Sequence, residues 1–138
     1  MANCIFCRIV QGEIPCAKIM EDEHCLSFLD IGPINAGHAL VIPKKHYPTL
    51  FEVPDEDLAA CAMMARAVGK AVLKVVGAAG LNFLQNNFRA AGQLVEHAHF
   101  HLIPRHENDG FLTSWPGKAY AVGEMEKLLQ KVHAQLQA

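Results

Sequence analysis

Residues 97–105 read His-Ala-His-Phe-His-Leu-Ile-Pro-Arg, an alternation of period two. In an extended strand successive side chains point to opposite faces, so His97, His99 and His101 share one face while Ala98, Phe100 and Leu102 take the other. The pattern predicts a strand over residues 94–103, ended by Pro104, with its apolar face on a core. Alternate positions lie roughly 6.6–6.8 Å apart along a strand. Neighbouring imidazoles at that spacing can converge on one small anionic group, or each can meet a different partner.

The rest of the chain supplies the frame. Residues 4–10 read as a short helix closed by Gly12. Residues 17–22 and 24–30 read as two strands joined at an acidic turn, and residues 38–43 as a strand stopped by Pro43 after a turn-rich loop over 31–37. Pro54 and the acids Asp55, Glu56 and Asp57 open a helix whose positive dipole end favours them. Leu58, Cys61, Ala65, Val68, Val72 and Val75 recur at helical spacing to Val76, and Gly77 and Gly80 end it. A strand over 81–87, a small-residue loop over 89–93 and an amphipathic helix over 122–136 complete the reading. Met125, Leu128, Leu129, Val132 and Leu136 form the stripe of that last helix. Strands clustered around two helices with few β-α-β alternations predict an α+β class with a mainly antiparallel sheet.

Composition narrows the function classes. A length of 138 residues fits one domain over 1–138, and 51% hydrophobic against 19% charged residues excludes disorder. Twelve basic against fourteen acidic side chains leave a net charge of -2, which argues against a broad basic surface for nucleic acid or anionic membrane. No apolar run approaches the roughly 18–20 residues that span a bilayer, and the N-terminus does not resemble a signal peptide. A cytoplasmic protein is expected. Five cysteines, an odd number, predict reduced thiols rather than a disulfide framework. Cys4 and Cys7, two residues apart, could hold one metal ion from a helix or turn, or be small hydrophobes on a buried helix face. A redox dithiol lacks its usual strand-then-helix context.

A neutral imidazole is a good nucleophile toward phosphorus, and a second imidazole nearby can donate or accept a proton near neutral pH. No glycine loop of the Walker type and no acidic metal-binding cluster accompanies the histidines, so the sequence does not suggest a magnesium-dependent kinase or GTPase. A lone strand histidine is ordinarily just a hydrogen-bonded side chain; three in strict alternation are harder to dismiss. A hydrolytic three-histidine zinc site is the rival, weakened because same-face strand positions lie nearly in a row while such a site needs converging nitrogens.

The run from His97 to Ile103 resembles the His-φ-His-φ-His-φ-φ signature of the histidine-triad (HIT) family. Cys4-Ile-Phe-Cys7, Gly12-Glu-Ile-Pro15, Phe28-Leu-Asp-Ile31, the segment from Gly37 to His46, Asn86 and Gly92-Gln93 extend the likeness to the Hint-like branch in its bacterial form. The resemblance implies a five-to-six-stranded sheet with two helices, joined to a second sheet across a homodimer, and purine nucleoside monophosphates and their phosphoramidates as ligands. By position it makes His99 the nucleophile and His101 its neighbour at the phosphate. His97 completes the triad, and His38 is the fourth histidine supporting its hydrogen bonds. Asn86 and Gln93 answer to polar residues around the phosphate, Asp30 to the carboxylate on the ribose hydroxyls, and Phe6, Ile14, Phe28 and Ile31 to the walls around the base. Relatives that transfer nucleotides to a sugar phosphate carry Gln where His101 stands, so the resemblance implies hydrolysis of a nucleoside phosphoramidate with no metal in the chemistry. It also implies a structural Zn2+ held by Cys4, Cys7, His46 and His97. A dinucleoside polyphosphate hydrolase and a nucleotide-binding interaction protein with incidental activity are the alternatives. Phe88 departs from the pattern where many such sequences have glycine, and Leu94 where eukaryotic members have a serine near the leaving group.

Overall fold

Among the described residues the first helix is α1, Ile5–Val10, capped by Cys4, whose Sγ accepts the backbone N–H of Cys7 at 3.4 Å. The computed structural model describes residues 3–112 and 114–138. After α1 come β1 (Lys18–Glu21), β2 (Cys25–Leu29), β3 (Ala39–Pro43), α2 (Asp55–Val76), β4 (Gly80–Gln85), β5 (Phe100–Arg105) and α3 (Glu124–Leu136). Short 3-10 turns lie at Leu50–Glu52 and Arg89–Ala91. The five strands form one sheet in the order β1-β2-β3-β5-β4, antiparallel throughout. This is an α+β fold, with short α1 beside the two longer helices.

Alternation along the strands sorts the core into two layers. Cys25, Ala39, Val41, Phe100 and Leu102 leave one face and pack on Cys61, Met64, Ala65, Val68 and Val72 of α2. Leu26, Phe28, Leu40 and Ile42 leave the other face and pack with Phe6 of α1. Leu40 pairs directly with His101 across β3 and β5, so His101 projects on the α1 side. A six-residue helix leaves part of that side uncovered, and the candidate site lies there.

Two expectations are corrected by the ladder. The strand expected over 94–103 begins only at Phe100. Upstream of it the backbone is claimed elsewhere: Ala98 N–H donates to the Tyr47 carbonyl at 2.7 Å and His97 N–H to the Val95 carbonyl at 2.9 Å. Pro104, expected to end the strand, lies inside β5 opposite Leu81. Its carbonyl accepts Asn35 Nδ2 at 2.8 Å on the side where β3 has already ended, so the missing proline N–H costs no ladder bond.

Gly37 sets the entry into β3. It sits at φ +90°, and a Cβ there would lie 2.8 Å from Val72 Cγ1 and 3.0 Å from Val76 Cγ1, so the loop before His38 presses directly on α2. At the far end α3 is exposed along its whole length, its apolar stripe included.

Candidate active site

A cavity of about 320 Å³ opens between α1, the β2–β3 loop and the segment before β5. Phe6, Ile14, Phe28, Asp30, Ile31, His99 and His101 all line it. Its walls are apolar apart from one carboxylate and two imidazoles, the mix expected of a small-ligand pocket with a few convergent polar groups. The His99 and His101 rings stand 5.0 Å apart, and Phe6 meets His99 edge-on at 5.1 Å.

Hydrogen bonds assign the imidazole tautomers one after another. His99 Nδ1 lies 2.7 Å from the His97 carbonyl, which can only accept, so Nδ1 carries the proton and Nε2 keeps its lone pair. Ile34 N–H donates to His38 Nδ1 at 3.1 Å, which places the His38 proton on Nε2. That N–H donates to His101 Nδ1 at 2.9 Å, so His101 carries its own proton on Nε2. The site therefore presents a lone pair on His99 beside an N–H donor on His101. Asp30 Oδ2 lies 3.6 Å from His38 Nε2, while Oδ1 accepts Gly32 N–H at 2.8 Å, which orients the carboxylate.

Burial keeps these rings neutral. Desolvation, with His99 and His38 as neighbours, pushes the His101 pKa down to about 4 against the opposing pull of Asp30. Burial likewise lowers His99 and His38, outweighing Asp30 in both cases. A neutral His99 is the form that can attack.

His97 meets α1 at another point, with its ring 5.8 Å from that of Phe6. Its Nε2 donates to the Pro43 carbonyl at 2.8 Å, so the Nδ1 lone pair points at Cys4 Sγ, 3.3 Å away, and Cys7 Sγ, 3.6 Å away. His46 Nδ1 lies 3.4 Å from Cys7 Sγ, and the four ligand atoms are all within 4.8 Å of one another. Tetrahedral zinc with thiolate and imidazole ligands places S and N about 3.6 Å apart, from Zn–S near 2.3 Å and Zn–N near 2.0–2.1 Å. Donor set and spacing both fit, and the Pro43 carbonyl fixes the His97 tautomer as outer-shell partners of metal-bound histidines do. Without a cation, burial and the Cys4 side chain hold the Cys7 thiol up at about 11.

A HIT domain is matched over residues 11–108. The chain belongs to the HIT family. This HIT chain is 54% identical over 109 residues to an uncharacterised HIT-like protein of Methanocaldococcus jannaschii, spanning 78% of this chain and 82% of that one. It is 43% identical over 135 residues to the adenosine 5'-monophosphoramidase of Schizosaccharomyces pombe, spanning 97% and 98%. A crystal structure of a Streptococcus mutans protein superposes with TM-score 0.92 at 37% identity, covering 99% of this chain and 87% of that one. A zinc-bound histidine triad family protein of Mycobacterium smegmatis superposes with TM-score 0.75 at 36% identity, covering 99% and 96%.

Not every residue expected at the site of this HIT chain lines the cavity. Gln93 is buried and its amide is fully engaged: Oε1 accepts Phe88 N–H at 2.7 Å, and Nε2 donates to the Pro48 and Val95 carbonyls at 2.6 and 3.0 Å. It braces the loop that bounds the cavity. Asn86 sits behind Gly92, where a Cβ would come within 3.7 Å of Asn86 Nδ2. The triad divides its tasks on the α1 side of the sheet: Phe6 meets both His97, at 5.8 Å, and His99, at 5.1 Å, but His99 and His101 line the cavity while His97 belongs to the cysteine cluster. A three-histidine zinc centre is thereby disfavoured, since His38 and His101 spend facing nitrogens on each other. Sequence reasoning missed the His97 carbonyl, which selects the reactive tautomer; no backbone atom announces itself in a side-chain pattern. It also missed Tyr47 and His24, which clamp Asp57 at 2.7 and 2.9 Å, while the Tyr47 carbonyl holds the triad backbone at Ala98. His24 is half-buried. Among the described residues no helix is long and apolar enough to cross a membrane.

Proposed function

We propose that this chain hydrolyses the P–N bond of purine nucleoside 5'-phosphoramidates by double displacement. His99 Nε2 attacks the phosphorus and the P–N bond breaks. The amine leaves with a proton taken from water, and a nucleotidyl group stays on His99. Water then cleaves that P–N bond, releasing AMP or GMP and restoring neutral His99. His101 Nε2–H donates to a phosphoryl oxygen while charge builds there, and His38 holds His101 in the tautomer that can donate. Asp30 accepts the ribose hydroxyls, Phe6, Ile14, Phe28 and Ile31 enclose the base, and Asn86 and Gln93 support the phosphate side through the Gly92 loop.

The observation that carries this reading is the bond from His99 Nδ1 to the His97 carbonyl, which leaves Nε2 unprotonated at the cavity. The phosphoramidase activity named for the yeast relative supports it. Cys4, Cys7, His46 and His97 would hold a structural Zn2+ that ties the N-terminal segment to the triad without entering the chemistry. Five unpaired cysteines fit a reducing, cytoplasmic setting. A homodimer joined sheet to sheet would use β1 or β4, the two open edges. His99→Ala tests the reading: kcat toward adenosine 5'-phosphoramidate falls at least roughly 10³-fold, as expected for loss of a covalent nucleophile. A variant of near-normal activity overturns it.

A further inference from the structure

The peptide unit joining His97 to Ala98 carries two bonds at once. Its carbonyl accepts His99 Nδ1–H at 2.7 Å, and its N–H donates to the Tyr47 carbonyl, also at 2.7 Å. A peptide unit is planar and trans, so its C=O and N–H point in opposite directions within one rigid plane. Whatever fixes the N–H therefore aims the carbonyl that selects the His99 tautomer. This peptide lies before Phe100, the first residue of β5, and its N–H is held by Tyr47 rather than by a neighbouring strand.

Tyr47 is itself held from its far end. Its phenol O–H donates to Asp57 Oδ2 at 2.7 Å, and His24 Nδ1–H donates to Asp57 Oδ1 at 2.9 Å. Asp57 stands in the first turn of α2 with Asp55 and Glu56, yet those two are exposed whereas Asp57 is buried. An acid gains from the helix dipole while still in solvent, so a helix start alone gives no reason to bury one. Burial of a carboxylate is costly unless its oxygens are bonded, and here each oxygen is spent on a different segment of chain. Pro48 restricts Tyr47 to extended backbone, and the Pro48 carbonyl accepts Gln93 Nε2 at 2.6 Å, so two successive carbonyls grip the loop that leads to the triad.

We infer that Asp57 and Tyr47 are positioning residues for the reaction: through the Tyr47 carbonyl and the peptide between His97 and Ala98, they hold His99 with Nε2 toward the phosphorus. The inference rests on the phosphoramidase reading for the reaction that is served. Neither Asp57 nor Tyr47 lines the nucleotide cavity, so both act through the main chain and not on substrate. The path from the start of α2 to the imidazole is three hydrogen bonds in series, Asp57 to Tyr47, Tyr47 to Ala98 and His97 to His99. His24 secures the second Asp57 oxygen. Removing the Tyr47 hydroxyl loosens the carbonyl, the peptide plane turns, and His99 gains access to the unproductive form with its proton on Nε2. A contact that served stability alone would change Tm and leave kcat of the folded protein as it was.

The test reads steady-state kinetics with adenosine 5'-phosphoramidate and the His99 tautomer by nitrogen NMR of the histidine-labelled full chain, in wild type, Y47F, D57A and D57N. Wild type shows the His99 proton on Nδ1. Y47F and D57A lower kcat roughly 10- to 100-fold, the scale of a reacting group misplaced by about 1 Å. Their KM stays within about twofold of wild type, and part of His99 converts to the form protonated on Nε2. D57N, whose amide still accepts from Tyr47 and can donate to His24, returns kcat to within about threefold of wild type. Wild-type kcat in folded Y47F, or an unchanged His99 tautomer, overturns the positioning role and leaves the phosphoramidase reading standing. Bound zinc is measured alongside, and a kcat loss confined to zinc-depleted protein overturns the role as well. Wild type without turnover overturns the phosphoramidase reading, and the tautomer then judges the clamp by itself. Y47F removes a single oxygen atom, so the inference is exposed to failure even if D57A does not fold.

Discussion

The His97 carbonyl oxygen decides which nitrogen of His99 can react, and the same logic runs through His38 to His101: an acceptor or donor of fixed sense at one end sets the proton at the other. Side-chain identity was legible in the sequence, because His99 and His101 fall on alternate positions of a segment whose other positions are apolar. Which proton sits where was not legible, since backbone groups two and four residues away decide it and only the fold aims them at the rings. His101 offers a direct check. Its folded pKa of about 4 lies below the ordinary 6.5, so between those values the unfolded chain binds more protons than the folded one. The resulting stability is complete above pH 6.5 and drains away as pH falls through about 4. Denaturant titration at several pH values should therefore show a wild-type advantage over His101→Gln that shrinks across that window; a constant difference contradicts a neutral buried His101. At Asp30 the expected effect is on binding. Asp30→Ala raises KM roughly 10-fold or more with a smaller change in kcat, as loss of a charged hydrogen bond worth about 1.5–3 kcal/mol predicts. Steady-state kinetics check it, and an unchanged KM removes Asp30 from the ribose.

At the scale of elements, periodicity located the helices and strands and fell short where a side chain or a loop outbid the ladder. Helix α2 matches its reading because three acids and a Gly77 C-cap at φ +64° bracket an unbroken apolar stripe. The segment over 94–99 alternates as a strand would, yet the Tyr47 carbonyl and the Gln93 amide claim its neighbourhood first. His97 still projects toward α1 and meets its cysteines, while His99 and His101 line the cavity. Gly37 is the tight point of the loop that carries His38. Gly37→Ala should lower stability by about 1–3 kcal/mol through overpacking against Val72 and Val76, with further cost from φ +90°. Chemical denaturation measures it, and a neutral result would mean that the loop is free to move off α2. The Cys4–Cys7–His46–His97 cluster makes a separate prediction. Chelation or Cys7→Ser lowers Tm by roughly 5 °C, about 2 kcal/mol at 2–4 °C per kcal/mol for a chain of this size. Protein that stays folded keeps its kcat. Turnover that disappears with the metal and returns with it, at constant fold, would move zinc into the chemistry.

Across the whole molecule one antiparallel sheet separates two tasks. The face under α2 is apolar and packed on that helix, while the face under α1 is left open because six residues of helix cannot cover it. The sequence announced both faces through β3, where Ala39 and Val41 alternate with Leu40 and Ile42. It could not announce how much of the second face stays open, since that depends on where α1 and the Ile14–Cys16 segment come to rest. In the proposed reaction the open face admits the phosphate to His99, and that histidine becomes covalently nucleotidylated. The most direct measurement is the stereochemical course at phosphorus for a P-chiral adenosine phosphorothioamidate hydrolysed in isotopically labelled water. Two in-line steps through His99 predict net retention of configuration; inversion, the mark of direct attack by water, would contradict the account.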